Sequence, residues 1–395
     1  MNNSKPSLGG FQSRIFGAGL MVAALGATGA RAWDYEGHRI VNELALASLA
    51  TESGATGMAG GTRFPDFVRT PANAERIAFL AGEPDRWRNV PDLALKQANS
   101  LDHYLDSEEL GYAGLDPARV SPLRYEFALQ FAAGRAAHLD RFPTIDPAKN
   151  QDHTLEWCGF LPWAISEYYS KLRSDFNSLR TFEAYGGTPE EIANAQADIV
   201  TVMGIMGHFV GDGSQPLHST VHHHGWVGPN PEGYTRWYGI HALIDGGFIA
   251  AAGISVKENL PQVTPAEPLP TAPRSDGREP VFAAVMDYLL AQQREVIPLY
   301  ELHKAGKFSA RASAGDAESS AEAESGEAPE GAPARRGRGR PSEVARPSPE
   351  GRAFIDAQLL KGGQMLGALW LTAWQHSAPD PFLRSQLARR APANP

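Results

Sequence analysis

The sequence predicts an all-α fold, and three observations carry that prediction. Long segments place apolar residues at helical spacing, one of them opens with a capping-box pattern, and no stretch alternates polar and apolar residues as a half-buried strand would. Hydrophobic residues make up 42% of the 395-residue chain, enough for a sizeable core, and no internal repeat divides it.

The first helix is expected over 37–50, where His38, Val41, Leu44, Ala45 and Ser48 share one face. Further helices are expected over 123–139 and 154–179, with Pro162 kinking the second. Thr188-Pro189-Glu190-Glu191 combines an N-cap Thr, Pro at the first helical position and Glu at the third. A helix should start there and run to about Gly211, where Gly213 and Pro216 end it. Two long C-terminal helices, 280–303 and 352–375, complete the set.

Composition removes other parts of the chain from this fold. Residues 1–32 read as a secretory signal: Lys5 and Arg14 give a positive start, 15–30 is apolar or small, and Ala30-Arg31-Ala32 fits a cleavage site. The protein is therefore expected to be exported, to the periplasm or the medium, with Trp33 as its first mature residue. Losing Lys5, Arg14 and Arg31 takes the formal net charge from −9 to −12, which argues against capture of nucleic acid by a broadly basic surface. Segment 305–351 is rich in Ala, Ser, Glu, Gly, Arg and Pro with almost no large apolar residue, so it is expected to be a disordered insertion. Within it, Arg338-Gly339-Arg340-Pro341 reads as a solvated basic patch. The helical domain then comprises 33–304 and 352–377, followed by a C-terminal tail over 378–395.

Cys158 is the one cysteine, so neither an internal disulfide nor a multi-thiolate metal site can form. A metal here must be held by His and carboxylate, the donor set of open catalytic sites. Those donors are at hand. In Gly207-His208-Phe209-Val210-Gly211-Asp212-Gly213-Ser214-Gln215-Pro216-Leu217-His218, His208 and Asp212 stand four residues apart and project from one helical face. His218 follows the helix-ending turn and can fold back toward them. His241 and Asp245 repeat the spacing, giving five nitrogen and oxygen donors of the kind zinc accepts. Gly204, Gly207 and Gly211 would let another backbone pack close to this face.

These motifs resemble the zinc-dependent single-strand-specific nuclease and 3′-nucleotidase family, whose sister family is the bacterial zinc-dependent phospholipase C. The similarity runs from Trp33 to about Asp245, and the C-terminal helices suit the all-α fold that both families share. The resemblance implies three zinc ions. Trp33, through its free α-amino nitrogen and its carbonyl oxygen, and His38 would hold one, with Asp212 bridging to a second. Asp85, in Gly82-Glu83-Pro84-Asp85-Arg86-Trp87-Arg88, His103, in Asp102-His103-Tyr104, and His208 would complete the second. His218, His241 and Asp245 would hold a third. Arg88 matches the family arginine that contacts phosphate, and Tyr104 sits where the family places an aromatic for base stacking. His222-His223-His224 is given no ligand role.

The activity so implied is metal-assisted hydrolysis of phosphate esters through a water activated by the bound zincs, with Asp85, Arg88 and Asp212 at the reacting centre. The substrate would be single-stranded DNA or RNA, or a 3′-nucleotide, with no obligate protein partner. The spacing between His218 and His241, and Asp rather than Glu at 245, match the nuclease pattern better than that of phospholipase C. Gly225-Trp226-Val227-Gly228-Pro229-Asn230 replaces the nuclease Gly-Gly-Asn loop, however, and Ile244 stands where Trp is expected. A phospholipase C or other phosphodiesterase, acting on phospholipid, and a non-catalytic zinc-binding protein are the alternatives. A zinc peptidase is disfavoured because no His-Glu-x-x-His occurs.

Overall fold

The computed structural model describes residues 33–49, 63–308 and 347–390. The expected leader and most of the expected insertion lie outside the described residues. Within them the chain is mainly helical, with no strand.

Helix α1, Tyr35–Ser48, begins at Asp34, whose carboxylate accepts from the Gly37 N–H. The face expected from periodicity is the one buried: His38, Val41, Leu44, Ala45 and Ser48 are all inside. Three short helices follow, α2 (Pro71–Leu80), α3 (Glu83–Arg88) and α4 (Leu93–Ser100), then a 3-10 turn over Leu101–His103 and helix α5 (Ser107–Tyr112). Helix α6, Arg124–Ala137, lies within the stretch expected to be helical.

Helix α7, Leu161–Tyr185, starts later than its periodicity suggests, and Pro162 opens it rather than kinking it. In the first turn a missing N–H has no intrahelical partner to lose. Residues 154–160 instead form turns that cross the 3-10 segment, where the Phe160 N–H donates to the Leu101 carbonyl. Gly159 permits this crossing: it holds a positive φ of 93°, and a Cβ there would strike the Tyr104 backbone. Helix α7 ends on Gly186, in the left-handed region.

Helix α8, Pro189–Asp212, has the reciprocal capping box between Thr188 and Glu191 that its sequence announces. Beyond it come a 3-10 turn over Pro216–Ser219, helix α9 (Ile240–Ala242), a π-helical turn over Leu243–Gly247, and helices α10 (Phe248–Ala252) and α11 (Val256–Asn259). The helix expected over 280–303 is two helices, α12 (Pro280–Gln293) and α13 (Val296–Lys304). Pro298 explains the break. A continuous helix would need its N–H to reach the Arg294 carbonyl, whereas in the first turn of α13 none is required.

Helix α14, Pro349–Gln375, starts inside the segment expected to be an insertion, capped by Ser348. Order also extends past 305, because Phe308 is buried against Phe248 and Phe354. Part of the expected tail forms helix α15, Pro381–Leu387, which packs on α7. Helix α14 lies along α1, and α7 along α8, with α2 also on α8. The two ends of the chain's helical core thus meet around α8, the helix that carries His208 and Asp212.

Candidate metal centre

Helix α8 approaches α1 and α2 closely because its inward positions are glycines. A Cβ on Gly207 would collide with the Asn42 side chain, and one on Gly211 would come 2.8 Å from His38 Nδ1. Asn42 uses that closeness, donating from Nδ2 to the carbonyls of Ile77 and Gly204 and so tying α1, α2 and α8 together. His38 of α1 is thereby set beside His208 of α8, their rings stacked 3.9 Å apart.

Three sets of donors result: His38, His208 and Asp212; Asp85, His103 and His208; and His218, His241 and Asp245. Within each, the ligand atoms lie within 4.8 Å of one another. Eight of the nine residues expected as ligands from the sequence are therefore brought together in the groupings expected, except that His208 stands between the first two sets. Asp212 divides its carboxylate between them. Oδ1 lies 3.4 Å from His38 Nε2, while Oδ2 lies 3.0 Å from His103 Nδ1 and 3.3 Å from His208 Nε2.

The ninth residue, Trp33, is fully buried beside the same helix end. Its indole donates to Ser214 Oγ at 2.9 Å, and the next residue's N–H donates to the Asp245 carbonyl at 3.1 Å. Trp33 is thus anchored between the first and third donor sets.

Ring orientations are fixed from behind. His208 Nδ1 is 2.6 Å from the Ala81 carbonyl and His218 Nδ1 2.6 Å from the His103 carbonyl, so each turns Nε2 toward the donors around it. His218 Nε2 and His241 Nε2 face each other at 3.0 Å, and His241 Nε2 is 3.3 Å from Asp245 Oδ2. Gln215 was not singled out from the sequence, yet it is wholly buried and donates from Nε2 to Asp245 Oδ1 at 2.5 Å. Its Oε1 accepts from the Leu217 N–H, which fixes the amide the right way round. The signal for it was present in the Gln-Pro-Leu-His run, three residues before His218. The His241–Asp245 pair spans α9 and the π-helical turn rather than a regular helix, but the two side chains still meet.

These residues fit a bound divalent cation. His38 Nε2, Asp85 Oδ1, Asp212 Oδ1 and Asp245 Oδ2 are buried without a hydrogen-bond partner. Tetrahedral zinc with bonds of about 2.0–2.1 Å separates its ligand atoms by roughly 3.3 Å, close to the spacings above. Burial pushes His38, His103 and His241 well below the ordinary imidazole range and His218 down to about 3, so all four are neutral and able to donate a lone pair. His208 differs: burial lowers it, but the Asp212 carboxylate reverses the sign. Burial raises Asp212 to about 6 and lifts Asp245 well above the carboxylate range. A cation among them would favour their ionised form.

Arg88 of α3 lies against Asp85, Nη2 to Oδ1 at 2.7 Å, in an ion pair whose angles do not make a hydrogen bond. Its positive charge also lowers the proton affinity of the nearby histidines. Tyr104 is half-buried, its ring packed against the core beside Gly159. His222-His223-His224 lies at the rim of the third set, with His224 ring-to-ring 5.1 Å from His241. The buried His/Asp clusters can therefore hold metal ions. No family model matches the chain, and no curated protein or solved structure matches it.

Proposed function

We propose that the protein is an exported zinc-dependent phosphodiester hydrolase, most specifically a nuclease on single-stranded DNA or RNA with 3′-nucleotidase activity. The observation that carries this reading is Asp212, one buried carboxylate offering each oxygen to a different set of imidazoles. Trp33, His38 and Asp212 would hold one zinc, Asp85, His103, His208 and Asp212 a second, and His218, His241 and Asp245 a third. Zinc bound there supplies Lewis acidity toward phosphate oxygens and lowers the pKa of water.

The chain's own residues do the rest. Asp212 would be shared between the first two donor sets, and the imidazoles held neutral by burial have a lone pair free to donate. Gln215 holds one oxygen of Asp245 and so leaves the other facing His241. Arg88, beside Asp85, places a positive charge where the non-bridging oxygens of a phosphate would gather negative charge. The formal net charge of −9 makes that local positive charge count, since the chain as a whole repels a polyanion.

A phospholipid substrate is the second reading, favoured by one observation. Helix α6 carries Tyr125 and Leu129 at 85% and 73% exposure, and Leu123 and Leu139 at its ends are also exposed. The test is hydrolysis of single-stranded DNA, RNA and a choline phospholipid by zinc-supplemented protein from an exporting host, with and without chelator, alongside metal analysis. Chelator-sensitive cleavage of nucleic acid with three zincs per chain is expected. Lipid turnover alone would move the protein to the second reading. Bound zinc without any turnover would leave a metal-binding protein that is not this enzyme.

A further inference from the structure

His222, His223 and His224 have no place in the three donor sets, and they are not alike. His222 stacks on Trp226, centroids 3.9 Å apart, and its Nδ1 accepts from the Val227 N–H. His223 Nδ1 lies 3.0 Å from the Thr220 carbonyl and 3.5 Å from Asp106 Oδ1. Both rings therefore have Nδ1 committed. His224 does not: its Nδ1 is buried and has no hydrogen-bond partner.

The loop sets that ring beside the third donor set. Gly225, at a positive φ of 100°, lets the chain pass against the Arg236 backbone, where a Cβ would collide. The Trp226 N–H donates to the Thr235 carbonyl and the Tyr300 hydroxyl to the His222 carbonyl, so both flanks of His224 are fixed. Tyr238 stacks on the His224 ring at 4.0 Å, and the His224 and His241 centroids are 5.1 Å apart. His218 and His241, two donors of one set, are themselves 4.9 Å apart. His224 thus stands about as near to His241 as its fellow donor does, although it lies outside the compact trio. Tyr238 is 61% exposed, so it can follow the ring through the rotation that brings Nδ1 inward.

We propose that His224 is a fourth, displaceable donor to the metal of the third set, and that a phosphate oxygen binds there only by taking its place. The proposal rests on the metal-centre reading above and adds a regulation to it. Three protein donors leave a bound zinc with an open position, and an imidazole lone pair within reach competes for that position. One Lewis base is exchanged for another, with no covalent bond made or broken in the protein. Linkage then ties two affinities together: whatever factor His224 adds to the binding of the metal, a phosphate ligand forfeits.

The experiment uses His224→Phe, which keeps a ring against Tyr238 and removes the lone pair, with His224→Ala to show that no change comes from the new ring. Zinc is titrated against a competing chelator, and inorganic phosphate is titrated into the zinc-loaded protein by calorimetry. Melting temperatures of the apo proteins report whether the fold has survived. Both variants should lose about 10-fold or more in affinity at one zinc position, no less than a residue that only orients a ligand is worth. They should gain phosphate affinity by the same factor. In histidine-labelled wild type, the Nδ1 resonance of His224 should move on zinc loading and return when phosphate saturates. If both affinities match the wild type, His224 is no donor and the proposal falls while the metal centre stands. Weaker zinc binding with no gain for phosphate would make His224 a support for His241, whose Nδ1 also lacks a partner, and would overturn the displacement. If the wild type itself leaves the third position unfilled, the reading of that donor set falls, and the proposal with it.

Discussion

The two donor regions are built in different ways. The His38, His103, His208 and Asp212 side chains are fully buried, and three of the four sit on the long helices α1 and α8, which glycines bring together. The His218, His241 and Asp245 set stands on a 3-10 turn, a three-residue helix and a π-helical turn, each too short to hold a side chain by itself. All three side chains are buried as well, but side-chain hydrogen bonds do more of the positioning there. Gln215 fixes Asp245, the His103 carbonyl fixes His218, and the His218 carbonyl accepts from the Leu105 N–H. The paired region should therefore fail as a unit, and the third set should fail alone.

The largest test of that contrast is Asp212→Ala. It removes both oxygens that the two imidazole sets share, so metal bound per chain should drop by two while the third position stays filled. Hydrolysis should fall by about 10³-fold or more, at the upper end of losing one preorganised electrostatic element. Elemental analysis after dialysis checks this directly. Loss of a single metal would mean that the two sets are independent and that Asp212 does not join them.

A second test concerns charge near the rim of the third set. Burial raises Glu109 to about 7, with Asp106 pushing the same way and Arg135 opposing; Glu108 and His223 act on it more weakly. One of its oxygens has no hydrogen-bond partner. Because the folded pKa lies above the unfolded one, the folded state holds this proton longer. Its contribution is then fully favourable below about pH 4.5 and is lost as pH rises through about 7, a decline on the order of 3 kcal/mol. Glu109→Gln should match the wild type in acid and exceed it by about that amount at pH 8, in denaturant unfolding with chelator present. A difference between the two proteins that does not change with pH would show that Glu109 is solvated after all.

Gln215→Met tests the hydrogen-bonded character of the third set. The volume is nearly kept, but the donor to Asp245 is gone, so affinity at that position should weaken by about 10- to 100-fold. The paired positions should bind as before. Zinc titration against a competing chelator resolves the two classes, and the apo protein's melting temperature reports whether the fold has survived. Equal weakening at all three positions would erase the distinction between the regions.

Much of this was legible in the sequence, and the reason differs by element. The four-residue spacing of His208 and Asp212, the glycines behind them and the Thr188 capping box are local signals, and the structure keeps each one. Asp85 and His103 lie on short elements without a period of their own, so only the resemblance pointed to them. The break before α13 was written in Pro298, but the apolar pattern on either side concealed it. Gln215 stood in the Gln-Pro-Leu-His run, but its pairing with Asp245, thirty residues on and past a 3-10 turn and a loop, has no local signal. The start of α7 was lost to tertiary contact, since the Leu101 carbonyl claims the Phe160 N–H.

The smallest effect is expected outside both donor sets, where segment 309–346 joins the fold. Lys307 pairs with Glu350 at 2.9 Å, Gly351 lies against the Lys307 carbonyl, and Phe308 is locked between Phe248 and Phe354. The fold therefore closes on itself where segment 309–346 leaves and returns. If that segment has the flexibility its composition predicts, replacing it with a Gly/Ser linker about a fifth as long shortens a loop whose ends are already fastened. Loop-closure entropy then stabilises the protein by about 1.4 kcal/mol, with metal content unchanged. Thermal melts and metal analysis of the excised protein check both halves. A marked fall in melting temperature, or loss of metal from either region, would mean that the segment supports a donor set, and the two-region contrast would need a third member.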